Sequence, residues 1–204
     1  MSVADASLRR HPPEPAGSTH AKPIPLDFVA ADGPVREPVT KIGGQPVWLE
    51  EPAWPVSAEL ETPMRFLGQF ALDGGRLAYL FMTADEEEYV DDTWEPDAGE
   101  NALVIQPGGR IPEFVEVEAL AEGPTYGPDH LPVTGTGKWP DQFLGGPKIK
   151  PYWLQRDETP GKGWQLVVQL SHGMPFEPNF GDAGTGYAFV SPDGKEGRFL
   201  WQCH

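Results

Sequence analysis

Apolar residues along this chain fall in short runs, each closed by Gly, Pro or Asp. The clearest runs are Met64 to Leu72 and Leu77 to Met82, separated by Asp73-Gly74-Gly75. Two apolar runs joined by such a turn predict a β-hairpin. Ala102 to Gln106 reads as a buried strand, followed by a turn at Pro107-Gly108-Gly109. Phe114-Val115-Glu116-Val117-Glu118 alternates with period two, which predicts a half-buried strand. Further on, strands are expected at Gln165 to Leu170, Tyr187 to Val190 and Arg198 to Gln202. A long turn region, Met174 to Gly186, separates the first two, and Pro192-Asp193-Gly194 separates the last two. Ile24 to Ala31 predicts an edge strand interrupted by Pro25. Pro46 keeps Lys41 to Leu49 from being a helix interior.

One pattern occurs twice. Gly43-Gly44-Gln45-Pro46-Val47-Trp48-Leu49 is matched by Gly145-Gly146, then Pro151-Tyr152-Trp153-Leu154. Gln69 and Gln169, Tyr79 and Tyr187, and Gln106 and Gln202 follow in the same order. The offsets are 105 for the Trp, 100 for the first Gln, 108 for the Tyr and 96 for the last Gln. Ordered blocks at nearly constant spacing indicate an internal duplication, and two copies are too few for a solenoid. The expected fold is therefore mainly β: two pseudo-repeated halves of about four short antiparallel strands, in one sheet-rich domain with little helix. The expected boundaries are a polar N-terminal arm over residues 1–22 and a single domain over 23–204. Within it the halves cover about 41–119 and 143–204, and a Gly/Pro-rich linker over 122–141 joins them.

Composition sharpens this picture. The 24 Gly and 24 Pro among 204 residues cut the chain into short segments, which favours strands over long helices. The formal charge of −16 argues against direct nucleic-acid binding, because phosphate contacts come mainly from Lys and Arg. It suits attraction to a basic partner. Cys203 is the single cysteine, so no internal disulfide forms, and a reducing, cytoplasmic setting is expected. Met1 to His20 lacks the apolar core of a secretory signal, and no apolar run approaches the ~20 residues of a membrane span.

Candidate chemistry is sparse. Trp48 and Trp153 follow Pro-containing turns and are either core residues or the walls of a peptide groove. Gln69 and Gln169 sit inside apolar strands. Their amides either hold the neighbouring Gly-Gly turn or bind an extended peptide backbone. Thr83 to Asn101 is an acidic loop in which 9 of 19 residues are Asp or Glu. Asp85, Glu86, Glu87 and Glu88 open it, and it lacks the ligand ladder of an EF-hand. A basic polypeptide is a better partner for it than a cation, and a plain solvated loop is the alternative. The five His form no metal-binding pair, so neither a metal nor a cofactor is expected. Ser171-His172 lacks a nucleophile elbow, and Asn179 to Gly186 is Gly-rich without the Lys or following helix of a phosphate loop.

The segments Gly43 to Leu49, Phe66-Leu67-Gly68-Gln69-Phe70, Asn179 to Gly184 and Gly197 to His204 resemble the YwqG-like family of bacterial proteins of unknown function. The first two are also distantly similar to the programmed cell death protein 2 group. That similarity implies a cytosolic escort for a newly made ribosomal protein. The chain lacks the cysteine-rich zinc-binding insert of the programmed cell death protein 2 itself, and the bacterial family offers no catalytic residues to carry over. The expected function is a non-enzymatic protein-binding module that holds a basic or extended polypeptide in a groove between the halves. Trp48, Trp153, Gln69, Gln169, Asp182 and the acidic loop are its candidate contacts. An immunity-type or regulatory partner of a toxin is the alternative. An enzyme is the third class, and it requires one pocket that gathers Asp182, His172 and Gln169 or Gln69. The sequence leaves the oligomeric state open.

Overall fold

The structure, a computed structural model, describes residues 21–84, 90–136 and 141–204. Among these there are twelve strands and no helix: β1 (Leu26–Ala30), β2 (Lys41–Ile42), β3 (Trp54–Val56), β4 (Arg65–Leu72), β5 (Arg76–Met82), β6 (Asn101–Gln106), β7 (Glu116–Glu118), β8 (His130–Thr134), β9 (Phe143–Leu144), β10 (Gln165–Ser171), β11 (Thr185–Val190) and β12 (Gly197–Gln202). No helix among the described residues is long and apolar enough to cross a membrane.

Two antiparallel sheets carry the fold. One has the order β1-β8-β2-β4-β5-β6 and the other β12-β11-β10-β9, while β3 and β7 form a separate ribbon. The predicted hairpin is β4–β5, closed by Gly74 and Gly75 at φ 78° and 73°, a conformation that glycine adopts without strain. β2-β4-β5-β6 and β9-β10-β11-β12 are both meanders in which each strand pairs with the next. Both carry a register shift early in the second strand, between Phe66 and Gly68 and between Leu166 and Val168.

Apolar side chains on the facing sides of the two sheets form a shared core. Leu67, Phe70, Leu80 and Ile105 from one sheet join Val168, Leu170, Phe199 and Trp201 from the other. The outer faces are not left to solvent. Trp48 and Trp54, with Phe66, Tyr79 and Phe81, make a second cluster outside the larger sheet. Trp153, Tyr187 and Phe189 make a third outside the smaller one. β5, β6 and β11 are buried on both faces, which explains their unbroken apolar sequences.

Two segments differ from expectation. The stretch read as a linker contains β8, which pairs with β1 over five residues and touches β2 through His130 and Ile42. Pro132 is tolerated there because of the phase of the ladder. Gly135 donates to the Pro25 carbonyl and Ala31 to the Asp129 carbonyl, so the Pro132 nitrogen points away from β1 and no bond of that ladder is lost. The alternating Phe114 to Glu118 stretch gives only the short β7, with Glu116, Val117 and Glu118 all exposed. It pairs with β3 in a two-stranded ribbon, and only Val115 and Phe114, just before it, reach the second cluster.

Candidate functional site

The paired Gln and Tyr residues are structural fasteners. Gln69 is fully buried; its Oε1 accepts the Val47 N–H at 2.9 Å and its Nε2 donates to the Val39 carbonyl at 2.9 Å. Gln169 accepts the Tyr152 N–H at 2.8 Å and donates to the Asp141 carbonyl at 3.1 Å. Tyr79 donates to the Val47 carbonyl at 2.7 Å, and Tyr187 to the Tyr152 carbonyl at 3.0 Å. Gln106 accepts from Leu49 and Glu50 and donates to the Glu51 carbonyl; Gln202 accepts from Gln155 and donates to the Arg156 carbonyl. Each amide thus pins an extended loop across the outer face of its sheet, and neither Gln69 nor Gln169 has a free end for a ligand. Burial pushes the Tyr187 phenol up to about 12, partly opposed by the Leu154 N–H that its oxygen accepts. Tyr79 is raised for the same reason.

The loops so held carry the two repeated Trp residues. Trp48 lies 4.9 Å from Tyr79 and stacks on Phe81 at 6.1 Å, and its Nε1 donates to the Ala121 carbonyl at 3.0 Å. Trp153 lies 4.4 Å from Tyr187 and stacks on Phe189 at 5.8 Å. Both are half-buried lids on their sheets and lie on different outer clusters, so they do not share one groove. Asp182 is exposed, and its carbonyl accepts the His204 N–H. Asp85, Glu86, Glu87 and Glu88 lie outside the described residues.

A buried ion pair fixes the chain beside β2. Lys41 Nζ donates to Asp129 Oδ1 at 2.6 Å, to the Gln45 carbonyl at 2.7 Å and to the Val35 carbonyl at 3.0 Å. Asp129 Oδ2 accepts the Val35 N–H at 3.1 Å. All three ammonium donors are used, so the pair holds the Val35 to Gln45 loop rather than offering a reactive group.

Among the described residues, a cleft of about 660 Å³ lies between the edge strand β1 and the turn after β10. Such a volume suits a ligand or a short peptide segment. Asp27, Phe28, Gln142, Met174, Phe176 and Glu177 shape its wall, which contains two carboxylates and no Lys or Arg. Asp27 and Glu177 are exposed, while Phe28 and Met174 are buried. Phe176 and Glu177 both take positive φ, 76° and 43°, which bulky side chains rarely adopt. The Phe176 ring is held edge-on to His130 at 4.9 Å. It also fills the space above Gly127, where a Cβ would meet it at 2.3 Å. Gln142 is 9% exposed, and its Oε1 is buried without a hydrogen-bond donor among the described residues. An unpaired buried amide oxygen costs roughly 1–3 kcal/mol, whereas both amide ends of Gln69, Gln106, Gln169 and Gln202 are hydrogen-bonded.

None of Asp182, His172, Gln169 or Gln69 lies in the cleft wall. The wall residues Asp27, Gln142, Phe176 and Glu177 were not singled out from the sequence. The cleft joins positions more than 100 residues apart, and the only local hint was the apolar Met174-Pro175-Phe176 inside a polar turn. Among the described residues no group of three His, Cys, Asp or Glu side chains is placed to share a metal ion. No protein-family model matches the chain, and a search of curated proteins finds no match either.

Proposed function

We propose that the chain is a protein-binding module that holds a basic, extended polypeptide segment in the cleft between its two sheets. The observation that carries this reading is the cleft itself: an apolar floor of Phe28 and Met174, a rim bearing Asp27 and Glu177 with no Lys or Arg in the wall, and a Gln142 Oε1 without a donor among the described residues. A floor of this kind anchors an apolar side chain, and the rim attracts a cationic one. The net charge of −16 extends the attraction beyond the cleft and speeds encounter with a basic partner. The distant likeness to the programmed cell death protein 2 group implies the same kind of role, escort of a newly made protein in the cytoplasm. The saturated Gln69 and Gln169 and the packed Trp48 and Trp153 act as the frame that holds the sheets in place around this cleft.

Selection from a displayed library of random peptides tests the reading. Enriched peptides should carry Lys or Arg beside apolar residues, and their affinity should fall as salt rises. The double substitution Asp27→Asn with Glu177→Gln should lose this preference while melting like the parent. Enrichment of acidic or uncharged peptides, or a basic preference unchanged by the double substitution, would remove the cleft from the account.

A further inference from the structure

We infer that the cleft takes its polypeptide as an added β-strand on the open edge of β1, and that it selects segments alternating apolar and basic residues. The inference rests on the binding reading above and specifies its geometry. Among the described residues, β1 is the terminal strand of its sheet and pairs only with β8. The bonds from Gly135 to Pro25 and from Ala31 to Asp129 set the phase of that pairing. Asp27 and Val29 direct their backbone groups at β8, so Leu26, Phe28 and Ala30 direct theirs at the open edge. The Leu26 N–H is already taken by the Gln142 carbonyl at 2.9 Å. The outward N–H and C=O of Phe28, in the cleft wall, have no backbone partner among the described residues.

An incoming strand inherits the alternation of β1. Leu26 and Phe28 point inward and are buried, whereas Asp27 and Val29 point outward and are exposed; Ala30, on the inner side, is exposed where the strand ends. Side chains on the inner side of the added strand meet Phe28, Met174 and Phe176. Those on the outer side meet Asp27, with Glu177 on the opposite rim. Main-chain bonds to Phe28 then give affinity, and the two environments give specificity at alternate positions. Gln142 supplies an acceptor at the end of this edge that has no donor among the described residues. Pairing of two copies through β1 is disfavoured, since it joins chains of charge −16.

The probe is a capped seven-residue peptide alternating Val and Lys, with two further versions N-methylated at every Val or at every Lys. Methylation deletes N–H groups of one parity at a time, and its conformational effect is common to both versions. An added strand donates with one parity only. One version should therefore lose at least about tenfold in affinity and the other less than about twofold. In the antiparallel arrangement used by every other strand here, the Val set is the sensitive one. Gln142→Met should weaken the parent peptide about fivefold while leaving the melting temperature equal or higher, because the deleted oxygen has no partner among the described residues. Equal losses for the two methylated versions, or a Gln142→Met variant that binds as well as the parent, overturn the strand mode but leave cleft binding standing. Failure of the unmethylated peptide to bind overturns the binding reading itself. Self-association of the free chain through β1 would assign the edge to a second copy and sink the inference.

Discussion

Replacing Gln69 by Met tests whether the strand glutamines are fasteners. Met matches Gln in length and lack of branching, so packing is largely kept. What is lost is defined: the Val47 N–H loses its acceptor and the Val39 carbonyl loses its donor. Each unpaired group costs about 1–3 kcal/mol when buried, and the part-buried setting of both bonds lets water recover some of that. The added apolar burial returns about 1 kcal/mol. The net expectation is a loss of roughly 1–3 kcal/mol, a large share of the ~5–15 kcal/mol that stabilises an ordinary domain. Urea unfolding followed by Trp fluorescence reads it directly. Gln69→Glu adds a signature. A protonated carboxyl still accepts from Val47 and donates to Val39, whereas a carboxylate can only accept. Burial raises the pKa of such a Glu above its unfolded value, so its stability is best at low pH and is lost as pH rises through the folded value. A Gln69→Met variant within about 0.5 kcal/mol of the parent, or a Gln69→Glu variant whose penalty ignores pH, would refute the fastener role.

Three other predictions concern the frame. Lys41→Met strands the Asp129 carboxylate in the interior and should cost about 3–5 kcal/mol, whereas Lys41→Met with Asp129→Leu should cost less; chemical denaturation of both variants decides this. Gly145→Ala places a Cβ 2.0 Å from the Leu166 carbonyl and should lower the melting temperature sharply, while Gly33→Ala, with no atom within 4 Å, should leave it within a few degrees. Asp193 accepts from Ser191 and the Lys195 N–H and pairs with Arg110, which holds its carboxyl at about 2. That lies below the unfolded value of about 3.9, so its contribution is present above that value and lost as pH falls through the folded one. A carboxyl titration followed by NMR should place the Asp193 midpoint near 2.

Much of the frame was legible because it is local. The β4–β5 hairpin announces itself through Asp73-Gly74-Gly75, and β1 through its place beside Pro25. The role of Gln69 was legible as one of two alternatives: a lone amide in an apolar strand needs partners, but only the packed chain shows that Val39 and Val47 supply them. Elements that depend on distant partners were not legible. β8 contains Pro132 and a weak apolar pattern, and it is a strand because β1, about 100 residues earlier, presents a complementary edge. The Lys41–Asp129 pair spans 88 residues. The cleft is the extreme case, since Asp27, Gln142 and Glu177 acquire a common environment only when the sheets pack. Conversely, Trp48 and Trp153 look like binding residues in the sequence because they recur, and each is committed to an aromatic stack over its own sheet. Their removal is expected to weaken the fold before it informs on binding.

The most direct measurement is a 15N–1H titration of the full chain with the alternating Val/Lys peptide. Saturable shifts are expected, centred on Phe28, Met174, Phe176, Glu177 and the Gln142 side-chain amide, with the Phe28 N–H slowed in hydrogen exchange. Shifts absent at high peptide concentration, or centred instead on the outer faces under Trp48 or Trp153, would contradict binding in the cleft.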